Sequence, residues 1–502
     1  MKKIYSLLCL SFIPLFVFSQ WIWQNLSSAP PPAIATWTGS ADNDWFNPAN
    51  WDTGIPVITT NVIIPAGLAN YPTIQNNPAY CFDIFFQSDS NGTATILDNG
   101  NLTINGIATV QLYFSGNAAD WHLVSPPVSA ATANVFLNMY MMSFSEATDD
   151  WNFITDPSTP MNVMEGYAIY STLSSFNTVT FIGNPNLGEQ SAGFTALSQG
   201  WNLLGNPYIS SIDWEMVSIP PGLSNEVQYL EAATGNFLAY VKGTGGPGSQ
   251  YIPPMQGFFV KASGSGTFSL GNLQRTHNGA NNFYKSKNTE LLILEASGEI
   301  YSDQAWIHFN DSAGVEHDGI YDACKKISTS NPELPQLFSV TPSGTRLSVN
   351  GMPDTTKVSL GFTAVESGVF TISAPETGYF PFVYLEDLVT GTIADLLTDN
   401  YTFVFIAGTL ENRFIVHFTE HDAVSENKPD LVNIYSYHNE VYIYLPENTQ
   451  GVITITNLLG QEITKTRTTD NVIHKVFINY SGLYIVRVVS DGFTMTKKVI
   501  IG

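Results

Sequence analysis

Glu440-Val-Tyr-Ile-Tyr-Leu445, Gly451-Val-Ile-Thr-Ile-Thr-Asn457, Gly482-Leu-Tyr-Ile-Val-Arg-Val-Val-Ser490 and Phe493-Thr-Met-Thr-Lys-Lys-Val-Ile-Ile501 decide how this chain folds. In each, apolar and polar residues alternate at a period of two, which turns one face of an extended strand to a core and the other to water. Turn residues at His438-Asn439, at Gly460 and at Tyr480-Ser-Gly482, with a hairpin signal at Asp491-Gly492, divide residues 431–502 into short strands. Roughly seven such strands are the pattern of a small Ig-like β-sandwich. Similar punctuation recurs upstream. The expectation for the whole chain is therefore all-β, with several β-sandwich-like domains in tandem.

Composition narrows the function classes. The chain has 502 residues, of which 44% are hydrophobic and only 12% charged; that charged share is about half the usual one. The formal net charge of −24 argues against nucleic acid or an anionic membrane as partner, since both require clustered Lys and Arg. Lys2-Lys3, the apolar run Ile4 to Phe18 and the small-residue site Val17-Phe-Ser19 before Gln20 read as a signal peptide over 1–19, cleaved between Ser19 and Gln20. A membrane helix needs about twenty apolar residues; no stretch offers them, so no transmembrane segment is expected. Cys81 and Cys324 then remain, either as one disulfide or as two buried free thiols.

The C-terminal stretch carries a resemblance as well as a pattern. Leu458-Leu-Gly-Gln461, Tyr480-Ser-Gly-Leu-Tyr-Ile-Val-Arg-Val488 and Thr496-Lys-Lys-Val-Ile-Ile501, in that order, resemble the type A C-terminal sorting domain of the Bacteroidetes type IX secretion system. Many members open on Tyr-Pro-Asn-Pro; Asn433-Ile-Tyr-Ser-Tyr-His438 stands in that place here. The resemblance implies that Gly460, Gly482, Tyr484, Val486, Lys497, Lys498 and Val499 belong to a sorting signal read by the type IX machinery after delivery to the periplasm. It further implies removal of 431–502 near a charged linker at 421–430, and joining of the remainder to surface lipopolysaccharide.

Between the two ends, residues 20–116 form an N-terminal β segment. Trp37-Thr-Gly39, Trp45, Asn47-Pro-Ala-Asn-Trp51, Ile55-Pro56 and Asn70-Tyr-Pro-Thr-Ile74 are similar to a segment common in Bacteroidetes surface and adhesin-like proteins, in which short β-rungs follow. Ala94-Thr-Ile-Leu97 and Asn101-Leu-Thr-Ile-Asn-Gly106 are the rungs available, too few for a long β-helix. An internal duplication occupies 117–275, with copies at about 117–190 and 197–275. Asp120-Trp-His-Leu-Val-Ser-Pro-Pro127 matches Gly200-Trp-Asn-Leu-Leu-Gly-Asn-Pro207, Phe144-Ser-Glu-Ala-Thr148 matches Tyr229-Leu-Glu-Ala-Ala-Thr234, and Glu165-Gly-Tyr-Ala-Ile-Tyr170 matches Gln256-Gly-Phe-Phe-Val-Lys261. The copies are expected to pack as pseudo-symmetric β lobes. A polar linker is read at 276–289 and a β-sandwich at 290–420, in which Tyr321-Asp-Ala-Cys-Lys-Lys326 is the single helix-like turn.

No His-Glu-x-x-His, Gly-x-Ser-x-Gly or phosphate-cradling glycine loop occurs. Asn310-Asp-Ser-Ala-Gly314 reads as a turn. Asp42-Asn-Asp44 offers oxygen ligands for Ca²⁺ or, more simply, a turn held by its own side chains. Glu316-His317-Asp318 puts a His between carboxylates, but on a strand such neighbours point to opposite faces. No cofactor and no metal ligand is therefore assigned. Trp121 and Trp201 recur within apolar strands and read as core, whereas Trp151, among Asp149, Asp150 and Asn152, reads as an exposed ring able to contact a ligand. The function expected is that of a secreted, surface-displayed, non-catalytic protein, adhesin-like or structural, with a glycan or surface ligand. The alternative is an extracellular carbohydrate-binding or polysaccharide-acting protein.

Overall fold

The computed structural model describes residues 32–114, 120–171, 178–279, 291–378, 380–409, 411–419, 433–437, 439–445, 450–468, 473–490 and 494–501. The described chain is all-β: its helical elements are single 3-10 turns of three or four residues. Among the described residues no helix is long and apolar enough to cross a membrane. Ser19, Gln20, the signal segment, the 421–430 linker and the Asp491-Gly492 turn lie outside the described residues.

The N-terminal segment is a short parallel solenoid. Ile34–Thr36, Asn61–Ile64, Ile84–Phe86 and Ala108–Tyr113 pair in parallel, one after another. Ala35, Val62, Ile84 and Ala108 stack in register as a buried column. Ala79–Cys81 and Leu102–Ile104 pair in parallel on a second wall, and Asp44, Thr73 and Leu97 bridge in parallel on a third. Three indoles seal the first rung: Trp51 meets Trp37 and Trp45 edge-on, with ring centroids at 5.1 and 4.8 Å. The adjoining turn is held by its own side chains. Asp42 accepts from Asp44 N and Asp44 from Phe46 N, while Asn50, fully buried, accepts from Ala41 N and Asp42 N.

The duplication is visible in the strand order. His122–Val124, Tyr140–Ser145, Asp150–Phe153 and Tyr167–Tyr170 form one four-stranded sheet, and Trp201–Gly205, Leu223–Glu231, Asn236–Val241 and Gly257–Ala262 form another. Both are ordered third, second, fourth, first. Each copy also pairs a strand ahead of the Trp with the strand that closes it: Ala108–Tyr113 with Thr178–Gly183, and Gln190–Phe194 with Gly266–Leu270. The structural repeat thus starts upstream of the expected 117 and 197, because the opening strands share no sequence motif. Ala108–Tyr113 serves as the last solenoid rung and the first strand of the repeat, which fuses the two regions.

The lobes meet about a pseudo-twofold axis. Ser125 N donates to Met255 O at 2.8 Å, and its counterpart Gly205 N donates to Met164 O at 2.9 Å. Val124 bridges Gln256 as Leu204 bridges Glu165. Met164 and Met255, buried equivalents, both adopt the left-handed conformation, at φ +63° and +60°; side chains rarely tolerate it, and here the same interface imposes it twice.

The third domain is one eleven-stranded sheet from Leu291–Ser297 to Phe414–His417, antiparallel except where Ser302–Phe309 runs parallel to Arg346–Met352. Its layers arise because this sheet curls on itself. Buried Arg413 donates to both Asp387 oxygens, at 3.0 and 2.7 Å, and to Val404 O at 2.6 Å near the opposite end of the sheet. Tyr401 Oη also donates to Asp387, at 2.8 Å. Residues 321–326 are not a helical turn: Ala323–Cys324 is a strand pairing Arg346–Met352. Cross-strand partners outweigh local propensity for six residues. The 276–289 linker is also shorter than expected at its start. Arg275–Thr276 pairs with Ser211–Asp213, and His277 lies between Thr73 and Thr95 of the solenoid.

Among the described residues the C-terminal region is a sandwich of seven strands. Asn433–Tyr437, Glu440–Tyr444 and Ile473–Phe477 form one sheet; Gly451–Asn457, Glu462–Arg467, Gly482–Ser490 and Thr494–Ile501 form the other. Among the described residues its buried core is drawn from within Ile434 to Ile501.

Candidate functional site

The expected sorting residues sort by face. Tyr484, Val486 and Val499 point inward at 6, 0 and 4% exposure, with Tyr484 paired across from Val499 and Val486 from Lys497. Tyr484 Oη donates to Tyr480 O at 2.8 Å, tying the strand to the turn before it. Gly460 has φ +78° and forms the turn between two strands, a conformation glycine reaches at no steric cost. Gly482 starts the Gly482–Ser490 strand at φ +158°. Lys498 is exposed and Lys497 half-buried. Five of the seven therefore build the sandwich, and of the two lysines Lys498 presents the more open charge.

Trp151 is half-buried, not exposed. On the antiparallel pair of Tyr140–Ser145 with Asp150–Phe153, Trp151 lies opposite Phe144, and its ring meets Phe144 and Phe259 edge-on at 5.2 and 6.0 Å. Of the acidic neighbours that made it look exposed, Asp149 lies in the turn and Asp150 opens the strand; the strand period turns Trp151 inward. Phe259 is the hub of this cluster, with Phe144, Trp201 and Phe237 at 5.1, 6.2 and 5.7 Å. The ammonium of Lys326, from the third domain, sits 4.1 Å from the Phe259 centroid and 4.9 Å from that of Trp201. Burial lowers its pKa to about 8, and the ring faces recover part of that cost through cation–π attraction.

The same sheet face runs out into solvent. Tyr140 lies opposite Tyr170, and its ring meets those of Phe153 and Tyr170 at 6.4 and 6.1 Å. Tyr170 in turn meets Trp121 at 5.2 Å. Phe153 is 65% and Tyr140 55% exposed. A strip of four rings thus crosses the first lobe from Phe153 to Trp121, with its Phe153–Tyr140 end open to water. Spacing alone does not single out these four rings, since which of them face solvent depends on how the second lobe packs on the sheet.

A second grouping joins the second lobe to the third domain. Glu226, on Leu223–Glu231, lies with His317 and Cys324, their ligand atoms all within 4.8 Å of one another. Cys324 Sγ is 3.5 Å from His317 Nε2. Gln228 Nε2 donates to Glu226 at 2.6 Å and Ser224 Oγ at 3.3 Å; Gln228 also donates to Cys324 O at 2.6 Å. Burial raises the Glu226 carboxyl to about 7, against opposing hydrogen bonds and the charge of Lys261. It pushes the Cys324 thiol up and the His317 imidazole down. Cys81 and Cys324 are both buried free thiols, which resolves the two readings of the pair. The three donors stand 7 to 98 positions apart, and no local spacing could have nominated them.

Residues 221–418 match a family model described as "Domain of unknown function (DUF8693)". It spans most of the second lobe's sheet and the third domain, and so holds all three donors. No curated protein matches the chain. Among solved structures, a "Biofilm associated protein - BSP domain" aligns over 79% of this chain and 63% of its own, at 8% identity and a TM-score of 0.15. A likeness at that score carries no argument.

Proposed function

We propose that this protein is a secreted, non-catalytic, adhesin-like binding protein, exported through the type IX machinery and displayed at the outer surface. On this reading residues 1–19 are removed as a signal peptide, and the C-terminal sandwich is the sorting domain. The remainder is cut free near 421–430 and joined to surface lipopolysaccharide. The observation that carries the binding role is the open aromatic strip Phe153–Tyr140–Tyr170–Trp121 on the first lobe. Rigid rings offer large contact area at little entropic cost, and the extensively fused β scaffold holds them in place. For the export role, the support is that the residues resembling a sorting signal fall in a sandwich with its own core, which can fold and be read as a unit.

Deleting 431–502 should leave the protein in the periplasm, as cell fractionation would reveal; undiminished surface delivery of the truncated chain refutes the export role. The strip also favours a second, narrower reading in which the ligand is a glycan, because sugar rings stack on aromatic faces. A glycan array probed with the full-length protein and with Tyr140→Ala/Phe153→Ala separates the two. Saturable binding to one glycan class, lost in the double variant and kept in Trp151→Phe, selects the carbohydrate reading. Adhesion to a surface without glycan binding, again lost in the double variant, selects the broader one.

A further inference from the structure

We propose that Glu226, His317 and Cys324 form a Zn²⁺ site that clamps the second lobe to the third domain. A thiolate, an imidazole and a carboxylate are the side chains that bind Zn²⁺, a borderline-soft ion with no geometric demand of its own. The geometry agrees at its best-defined edge. Zn–S and Zn–N bonds of about 2.3 and about 2.0–2.1 Å at a tetrahedral angle put sulfur and nitrogen about 3.5 Å apart. Cys324 Sγ and His317 Nε2 stand at 3.5 Å. The third donor lies within 4.8 Å of both, so a side-chain adjustment of about 1 Å closes the triangle to bonding range.

The surroundings look built for an ion. Glu226 is fully buried, and its side-chain partners are the neutral groups Ser224 and Gln228. Lys261 acts on it through its charge, and a buried carboxylate whose hydrogen-bonding side chains are neutral is stabilised further by a cation bound to it. Zn²⁺ would balance the carboxylate and the thiolate together. Gln228 bonds both Glu226 and the Cys324 carbonyl, which is the outer support that keeps metal ligands oriented. His317 is only partly buried and lies on the loop leading to Ala323–Cys324, so the ion would enter from that side.

Placement gives the site its role. Glu226 belongs to the second lobe, whereas His317 and Cys324 belong to the third domain. The joint between them also holds apolar contacts of Ala239 and Val241 with Ala323 and Val349, the Lys326 ammonium on the second lobe's rings, and hydrogen bonds such as Asn225 N to Gly319 O at 2.6 Å and Ser328 Oγ to Gly235 O at 2.5 Å. An ion bound there would link the two units within the matched 221–418 segment, independently of what the aromatic strip binds.

The test is Co²⁺ titration of the metal-stripped full-length protein. One Co²⁺ per chain should bind with a sulfur-to-cobalt charge-transfer band and the intense visible bands of a tetrahedral site, both erased by added Zn²⁺. Cys324→Ser should abolish the charge-transfer band, and Glu226→Gln or His317→Asn should weaken Zn²⁺ binding by at least about tenfold. Cys81→Ser, in the solenoid, should change nothing. Zn²⁺ should raise the Tm of the parent protein but not of His317→Asn, whose partly exposed position makes it the variant most certain to fold. Absence of stoichiometric Co²⁺ binding, a charge-transfer band that survives Cys324→Ser, or equal Zn²⁺ affinity in His317→Asn overturns the proposal.

Discussion

At the scale of the residue, Glu146 shows how duplicated positions acquire different work. Its carboxylate accepts from Leu197 N, Ser198 N and Gly200 N at 2.8–2.9 Å and from Thr195 Oγ1 at 2.8 Å, so one side chain of the first lobe organises a loop of the second. Its counterpart in the repeat, Glu231, accepts from Thr234 within its own turn. Burial alone would raise the Glu146 pKa, but the hydrogen bonds outweigh it and hold the group down at about 2. A carboxyl held below its unfolded value, near 4.3, contributes stability in full above that value and loses it as pH falls toward 2. Glu146→Gln should therefore lower stability at neutral pH by about 1–3 kcal/mol, because backbone donors lose a charged acceptor. It should also flatten the acid limb of a Tm-versus-pH curve between about 4 and 2. Glu231→Gln should fall within about 0.5 kcal/mol of the parent protein.

At the scale of the element, the lobe interface depends on glycines at equivalent places. A Cβ on Gly166 would stand 2.5 Å from Leu204 O and 2.7 Å from Leu203 Cγ, and one on Gly257 would stand 3.0 Å from the Leu123 carbonyl carbon. Neither position needs an unusual φ; both need absence of a side chain so that strand backbones can approach. Gly166→Ala should cost about 1–3 kcal/mol by overpacking, and Gly257→Ala less, since its contacts are longer. Chemical denaturation of the two variants checks the order. The Glu165-Gly166 and Gln256-Gly257 match was plain in the sequence, yet its meaning was not. A glycine before an aromatic strand reads as a hairpin residue until the partner backbone is seen.

At the scale of the molecule, buried ion pairs fix one region on the next. Arg275, from the end of the second copy, is ion-paired with Asp98 of the solenoid and donates to Ile96 O at 2.8 Å. Lys325 of the third domain pairs with Asp303 at 2.6 Å, and Asp303 also accepts from Asn236 of the second lobe at 2.7 Å. Breaking a buried pair leaves an uncompensated charge, so Arg275→Met should destabilise the protein by about 3–5 kcal/mol. Asp98→Asn/Arg275→Met should recover a large part of that loss, as calorimetry would show.

Sequence alone determined the strand character of nearly every element, the duplication, and the alternation that fills the C-terminal sandwich core, because each of these is a local pattern with a period or an offset. The inward set Tyr484, Val486 and Val499 could be named from spacing, since a strand has only two faces. Tertiary structure decided which residues of different regions meet. Trp151 turned from an exposed ring into part of a packed cluster, Phe153 and Tyr140 became the open rings, and Ala323–Cys324 became a strand once a partner lay beside it. Glu226, His317 and Cys324 converge for the same reason. Their separation along the chain carries no periodic signal, and only the docking of a lobe on a curled sheet brings a carboxylate, an imidazole and a thiol within reach of one another.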